Sequence, residues 1–134
     1  MNKTTGVIFI IIRPSGEMLM QLRDGNSTRY PHMWCFPGGS VDEGEEPVFT
    51  VIREIDEEYE LKIRPEHCQK LMEYTLSYGS NVVVFVCNVD ADQRTVMHEG
   101  ADMRWMRFDE IKKIELGFEQ KQIHPKLEIF LNER

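Results

Sequence analysis

Residues 7–12 form an uninterrupted apolar run inside a stretch, 6–13, rich in Ile and Val, and the run ends at Arg13-Pro14. A short apolar run closed by the Pro14-Ser15-Gly16 turn predicts a strand. Residues 17–23 then place Met18, Met20 and Leu22 on alternate positions, the pattern of a hairpin partner. The polar stretch 24–32, with Gly25-Asn26-Ser27, reads as a surface loop. Trp34-Cys35-Phe36 is a brief apolar segment that Pro37-Gly38-Gly39 cuts off as a turn.

The next block changes period. Val48, Val51, Ile52 and Ile55 recur at helical spacing, and Pro47 stands where a first-turn proline is tolerated, just after Glu45 and Glu46. Pro65 marks irregular chain beyond this helix. Residues 71–78 and 82–89 predict two strands joined by Gly79-Ser80-Asn81, the second apolar enough to be buried on both faces. Residues 104–108 predict another short strand, Asp109 can cap a small helix reaching Lys113, and Pro125 can open a last helix carrying Leu127, Ile129, Phe130 and Leu131. Strands around one strong helix, with more helix at the end, indicate a mixed α/β (α+β) class. With no repeat, low-complexity tract or linker, residues 1–134 read as one domain.

Composition narrows the function classes. The formal charge of −7 disfavours binding along a nucleic-acid backbone, which needs a basic surface, and favours a cation site that accepts a small phosphorylated ligand. Three cysteines, Cys35, Cys68 and Cys87, form neither a C-x-x-C pair nor a disulfide framework and suit a reducing compartment. The apolar run is far shorter than the about 20 residues of a spanning helix. No membrane association and a cytoplasmic location are therefore expected.

Glu54, Glu57 and Glu58 stand at i, i+3 and i+4, which gathers three like charges on one helix face. Acidic helix faces are ordinarily just solvated. Here, however, the face follows a Phe36-Pro37-Gly38-Gly39 turn whose glycines admit a close backbone approach to a ligand. Gly39, five residues, Glu45, seven residues, then Arg53-Glu54-Ile55-Asp56-Glu57-Glu58 and Leu61 resembles the Nudix box, G-x5-E-x7-R-E-U-x-E-E-x-G-U, with U a bulky aliphatic. Eight of its nine specified positions are present over 23 residues, a specific match. Trp34-x-Phe36-Pro37-Gly38-Gly39 is similar to the family's lead-in. Arg104-Trp105 with Asp109-Glu110-Ile111 is similar to its late strand and short helix. The departure is Glu60 at the box's last glycine, which puts the helix exit in question because glutamate suits a left-handed backbone poorly.

The resemblance implies a three-layer α/β/α sandwich with a mixed sheet. It further implies metal-dependent hydrolysis of a diphosphate linkage by water attack on phosphorus, in a nucleoside di- or triphosphate or a nucleoside diphosphate derivative. Glu54, Glu57 and Glu58, with the Gly38 carbonyl, become the expected ligands of Mg2+ or Mn2+, hard cations that prefer oxygen donors. Arg53 pairs with a box carboxylate and orients it, or else forms a plain surface ion pair. Glu45 supports the loop or simply suits the helix start. In the loop before the late strand, Glu99 is the candidate general base or extra ligand, with Asp102 its competitor. Gly38, Gly39, Trp34 and Tyr78 are the candidate substrate contacts, Tyr78 resembling a tyrosine of dinucleoside-polyphosphate hydrolases. Tyr74 and Trp105 can stack a base or fill the core, and His32 and His98 can line the site or sit in turns. A small nucleotide-like partner and a homodimer are expected by resemblance. A dinucleoside-polyphosphate hydrolase, or a nucleotide-sensing module without turnover, are the alternatives.

Overall fold

The computed structural model describes residues 6–90 and 93–134; residues 1–5 and 91–92 of the expected 1–134 unit lie outside them. Its first strand, β1 (Gly6–Ile12), is buried almost throughout because both of its faces are covered. Val7, Phe9 and Ile11 pack with one apolar cluster and Ile8, Ile10 and Ile12 with another. That is the reason the strand reads as continuous apolar sequence rather than as an alternation. Strand β6 (Asn81–Asn88) runs parallel to β1 over its full length, from Gly6 opposite Val82 to Ile12 opposite Asn88. It divides its side chains in the same way, Val83, Phe85 and Cys87 to one layer and Val82, Val84 and Val86 to the other.

The remaining pairs are antiparallel. Strand β2 (Met18–Leu22) joins β1 at Met18, β3 (Trp34–Cys35) at its far end and β7 (Asp102–Met106) along its length, while β5 (Cys68–Thr75) pairs with β6. The result is a seven-stranded mixed sheet. Helix α1 (Pro47–Tyr59) covers one face; α2 (Phe108–Ile111) and α3 (His124–Asn132) cover the other through Ile111 and Leu127. The mixed sheet between helix layers, an α+β arrangement, agrees with the sequence expectation.

Several boundaries differ. Gly38-Gly39, expected to be only a turn, lie in β4 (Gly38–Ser40), which pairs with β1 through Val7 opposite Gly39 and Ile8 opposite Gly38. A Cβ on Gly38 would stand 2.3 Å from the Val7 carbonyl oxygen, so the pairing itself requires glycine. Strand β5 starts at Cys68 rather than at residue 71, and ends at Thr75 because Leu76 N–H to Ser80 C=O (2.8 Å) and Gly79 N–H to Leu76 C=O (2.8 Å) fold the next residues into a turn. Strand β7 lies at 102–106 rather than 104–108, since Phe108 already begins α2 and the Glu110 carboxylate accepts the Arg107 N–H at 3.0 Å. Asp109, the expected cap, therefore sits inside the first turn.

Helix α1 buries Val51, Ile55 and Tyr59 completely, together with Glu58, whereas Val48 and Ile52 are only half-buried. Each such aliphatic side chain contributes about 1.5–3 kcal/mol. The buried stripe is thus rotated from the one the apolar residues alone suggest, and it carries a carboxyl group into the core boundary.

Candidate active site

The C-terminal half of α1, the glycine strand β4 and the loop before β7 meet at a cavity of about 340 Å³. Glu58 and Glu99 line it, from the helix and from the loop. Glu58 is only 8% exposed. Desolvation, then hydrogen bonding to Glu54 and Glu99 and repulsion from their charges, pushes its carboxyl up to about 9. At neutral pH Glu58 therefore keeps its proton beside the Glu54 and Glu99 carboxyl groups. Among the described residues no three acidic, thiol or imidazole side chains stand in a finished metal cage.

Glu54 reaches the cluster beneath β4. A Cβ on Gly39 would lie 2.6 Å from Glu54 Cδ and 2.9 Å from its Oε1, so glycine at 39 makes room for that carboxylate. Glu57 faces outward, its side chain 58% exposed. Arg53 ties the acids together: its Nε and Nη2 donate to the two Glu45 carboxylate oxygens, both at 2.9 Å. Its Nη1 donates to Glu54 Oε1 at 3.0 Å and to Glu57 Oε2 at 3.3 Å, and Asp42 lies 3.3 Å from Nη2. The Arg53 hydrogen bonds, with Thr50 Oγ1 donating at 2.6 Å, hold Glu45 down at about 2. Glu45, foremost, in turn raises the affinity of the guanidinium for its proton. The bidentate geometry fixes the plane of Arg53, and through it the rotamers of Glu54 and Glu57.

The Glu99 loop is anchored at both ends. Val96 N–H donates to the Tyr59 carbonyl (3.2 Å) and His98 N–H to the Glu58 carbonyl (2.9 Å), satisfying helix-end acceptors of α1. On the other side Ala101 N–H donates to the Leu22 carbonyl at 2.9 Å. Gly100, at φ +90°, passes so close to Gln21 that a Cβ would meet its Nε2 at 2.7 Å. Gln21 is itself held by the buried Tyr59 hydroxyl.

Across the cavity lies a rim of cations on aromatic rings. The Arg29 guanidinium stacks 3.7 Å from the Tyr78 ring centre and that of Arg23 4.8 Å from Phe118. Arg23 also donates twice to the Arg29 carbonyl, at 3.2 and 3.1 Å. Tyr30 packs on Phe118 with centroids 4.6 Å apart, and partial burial and a hydrogen bond to Tyr78 raise its hydroxyl's affinity for the proton. Buried Gln120 clamps the backbone of Phe36, accepting its N–H at 2.7 Å and donating to its carbonyl at 3.0 Å. Cys35 lines the same cavity, its thiol pushed up to about 12 by burial and thus un-ionised.

Of the residues singled out from sequence, Gly38, Gly39, Glu58, Glu99 and Tyr78 line the cavity, and Glu54 joins Glu58 behind Gly39. Arg53 and Glu57 stand outside, linked to the cluster through Glu54. Trp34 is not part of the lining: it packs against the α3-side core with Arg104 over its ring at 5.3 Å. Tyr74 donates to the Phe118 carbonyl (2.8 Å), and Trp105 lies under Arg13 at 4.3 Å. His32 packs on Gly25. Asp102 accepts the Met103 N–H (2.8 Å) and approaches Arg104. Arg23, Arg29, Phe118 and Gln120 were not anticipated. Arg23 follows β2, Arg29 comes from the polar loop, and Phe118 and Gln120 come from the segment before α3, with no local pattern that marks them.

This chain belongs to the NUDIX domain family, which it matches over residues 2–127. It is similar to an RNA pyrophosphohydrolase of Shewanella sediminis (strain HAW-EB3), 44% identical over 62 residues. That match takes in 46% of this chain and 32% of the relative, so it spans about a third of the curated protein's length. Among solved structures, a C. elegans Ap4A hydrolase binary complex superimposes with a TM-score of 0.75 at 21% identity, covering 96% of this chain and 99% of that one. The NUDIX domain of Shewanella oneidensis NrtR complexed with ADP ribose superimposes with a TM-score of 0.77 at 19% identity, covering 98% and 90%. At these identities the superpositions establish the fold.

Proposed function

We propose that this protein is a divalent-cation-dependent hydrolase that cleaves a diphosphate linkage in a small nucleotide. The observation that carries the reading is the convergence of Glu54, Glu58 and Glu99 at the cavity, with a cationic and aromatic rim opposite. Carboxyl groups gathered at a cavity wall beside a glycine strand fit a site for a hard metal ion, which prefers several oxygen donors. Glu54 and Glu58, with Glu57 at the outer edge and the Gly38 carbonyl, would hold Mg2+ or Mn2+. The bound cation would supply charge neutralisation at the diphosphate and acidify the attacking water.

The chain's own groups do the rest. Arg53 keeps Glu54 and Glu57 in their ligating rotamers, and Gly39 leaves space for Glu54. Arg23 and Arg29 face the negative charge of the phosphates, held in place by the Phe118 and Tyr78 rings on which they stack. Water attacks one phosphorus in line, the P–O bond to the bridging oxygen breaks, and Glu99 takes the water's proton. The net charge of −7 favours a free nucleotide over an RNA end.

The test is product analysis with Mg2+ or Mn2+ on a panel of nucleoside triphosphates, nucleoside diphosphate sugars, dinucleoside polyphosphates and a 5′-triphosphorylated RNA. Metal-dependent release of phosphate or pyrophosphate from a small nucleotide, lost in Glu58→Gln, is expected. Tight nucleotide binding with no product and no metal dependence would instead identify a sensing module, and preference for the RNA would reverse the substrate assignment.

A further inference from the structure

Helix α1 ends on a residue that the Nudix pattern does not predict, and that residue makes a contact no glycine can make. Glu60 adopts the left-handed conformation (φ 57°, ψ 34°) that the box glycine serves, with its N–H on the Asp56 carbonyl at 2.9 Å. A side chain here bears a conformational cost that glycine avoids. The Glu60 carboxylate accepts from His98 Nε2 at 2.5 Å, and His98 immediately precedes Glu99.

We infer that the Glu60–His98 contact is a positioning device that holds the Glu99 loop over the carboxylate cluster, standing in this chain where the family pattern has a bare turn. The inference rests on the hydrolase reading for the role of Glu99, but not for the tether itself. Two backbone bonds, from Val96 and His98 to the last carbonyls of α1, already seat the loop, and any residue at 60 would allow them. On the strand side Ala101 N–H donates to the Leu22 carbonyl, so backbone bonds flank Glu99 on both sides. The Glu60 carboxylate adds a lateral, side-chain point of attachment one residue before Glu99.

The pair is poorly placed to serve the fold. Its two side chains are 57% and 53% exposed, and ion pairs in that setting add little to global stability. A left-handed glutamate at a helix exit works against stability rather than for it. The arrangement is therefore accounted for by what it holds rather than by what it stabilises. Glu60 and His98 act through Glu99 and touch neither the cavity nor the cluster, so they are positioning residues.

The discriminating variants are Glu60→Gly, which restores the family glycine, His98→Ala, the double variant, and Glu60→Gln, which keeps a hydrogen-bond acceptor. Hydrogen–deuterium exchange on the metal-free protein reads the tether without reference to activity. Exchange at residues 96–99 is expected to rise about threefold in both single variants. It should rise no further in the double, because the two side chains form one contact. Glu60→Gln should recover most of the protection. Tm is expected to stay level or rise in Glu60→Gly, whereas a structural strut would lower it. With a substrate in hand, kcat should fall by a similar factor at constant KM and recover in Glu60→Gln. Unchanged exchange at 96–99 in Glu60→Gly, or singles whose effects multiply in the double, would overturn the inference. Loosened exchange together with no hydrolysis by wild type would leave the tether standing and sink the hydrolase reading instead.

Discussion

Replacing Glu58 by glutamine separates what it costs to bury this carboxyl from what the carboxyl is for. Glu58 goes from an ordinary 4.5 in the unfolded chain to about 9 in the folded one. The native state consequently holds one more proton than the unfolded state between those values, and stability falls as pH rises through that window. A fully realised shift of this kind changes stability by about 1.4 kcal/mol per pH unit. Between pH 6 and 8 that sets a ceiling of about 3 kcal/mol. Glutamine is isosteric and stays neutral, and its amide can donate to both neighbouring carboxylates. In EDTA the wild-type Tm should therefore drop from pH 6 to 8 relative to Glu58→Gln, which should cross above wild type toward pH 8. Adding Mn2+ at pH 8 should raise the wild-type Tm and leave the variant where it was, because only the wild type binds the ion. Parallel pH profiles for the two proteins, or equal stabilisation of both by Mn2+, would refute the buried-proton account of the cluster.

Four further outcomes follow from the geometry. Gly39→Ala drives a methyl group to within 2.6 Å of Glu54 Cδ, so turnover should fall more than about tenfold with the fold intact; Gly38→Ala collides with the Val7 carbonyl and should cost about 1–3 kcal/mol in urea denaturation. Gln120→Leu strands the buried N–H and C=O of Phe36, whose two hydrogen bonds it removes, and should destabilise by about 2–4 kcal/mol, visible as a lower urea midpoint at unchanged slope. Arg29→Ala and Tyr78→Ala dismantle the stacked rim far from the carboxylates, so steady-state kinetics on the identified nucleotide should show a raised KM with kcat nearly retained.

The chemistry-bearing residues of α1 were legible in the chain because helical spacing is a local property: Glu54, Glu57 and Glu58 could share a helix whatever lay around it. The apolar runs of β1 and β6 likewise announced strands, and the run of β6 announced one suited to a buried position. The distance from Gly39 to the helix identified the family before any contact was known. What local spacing could not supply was the inequality among the three glutamates. The helix is rolled so that Glu58 enters the low-dielectric boundary, Glu54 sits behind Gly39 and Glu57 remains in solvent with Arg53. That roll is decided by Val51, Ile55 and Tyr59 packing on the sheet. Long-range closure also made Gly38-Gly39 a strand rather than a turn and brought Glu99 to Glu58 from about forty residues away. It set Arg23, Arg29 and Phe118 on one rim, and it gave Glu60, a mismatch when read along the chain, a partner in His98. Burial and pairing between residues distant in sequence are sums over the whole packed molecule, and only the tertiary structure performs them.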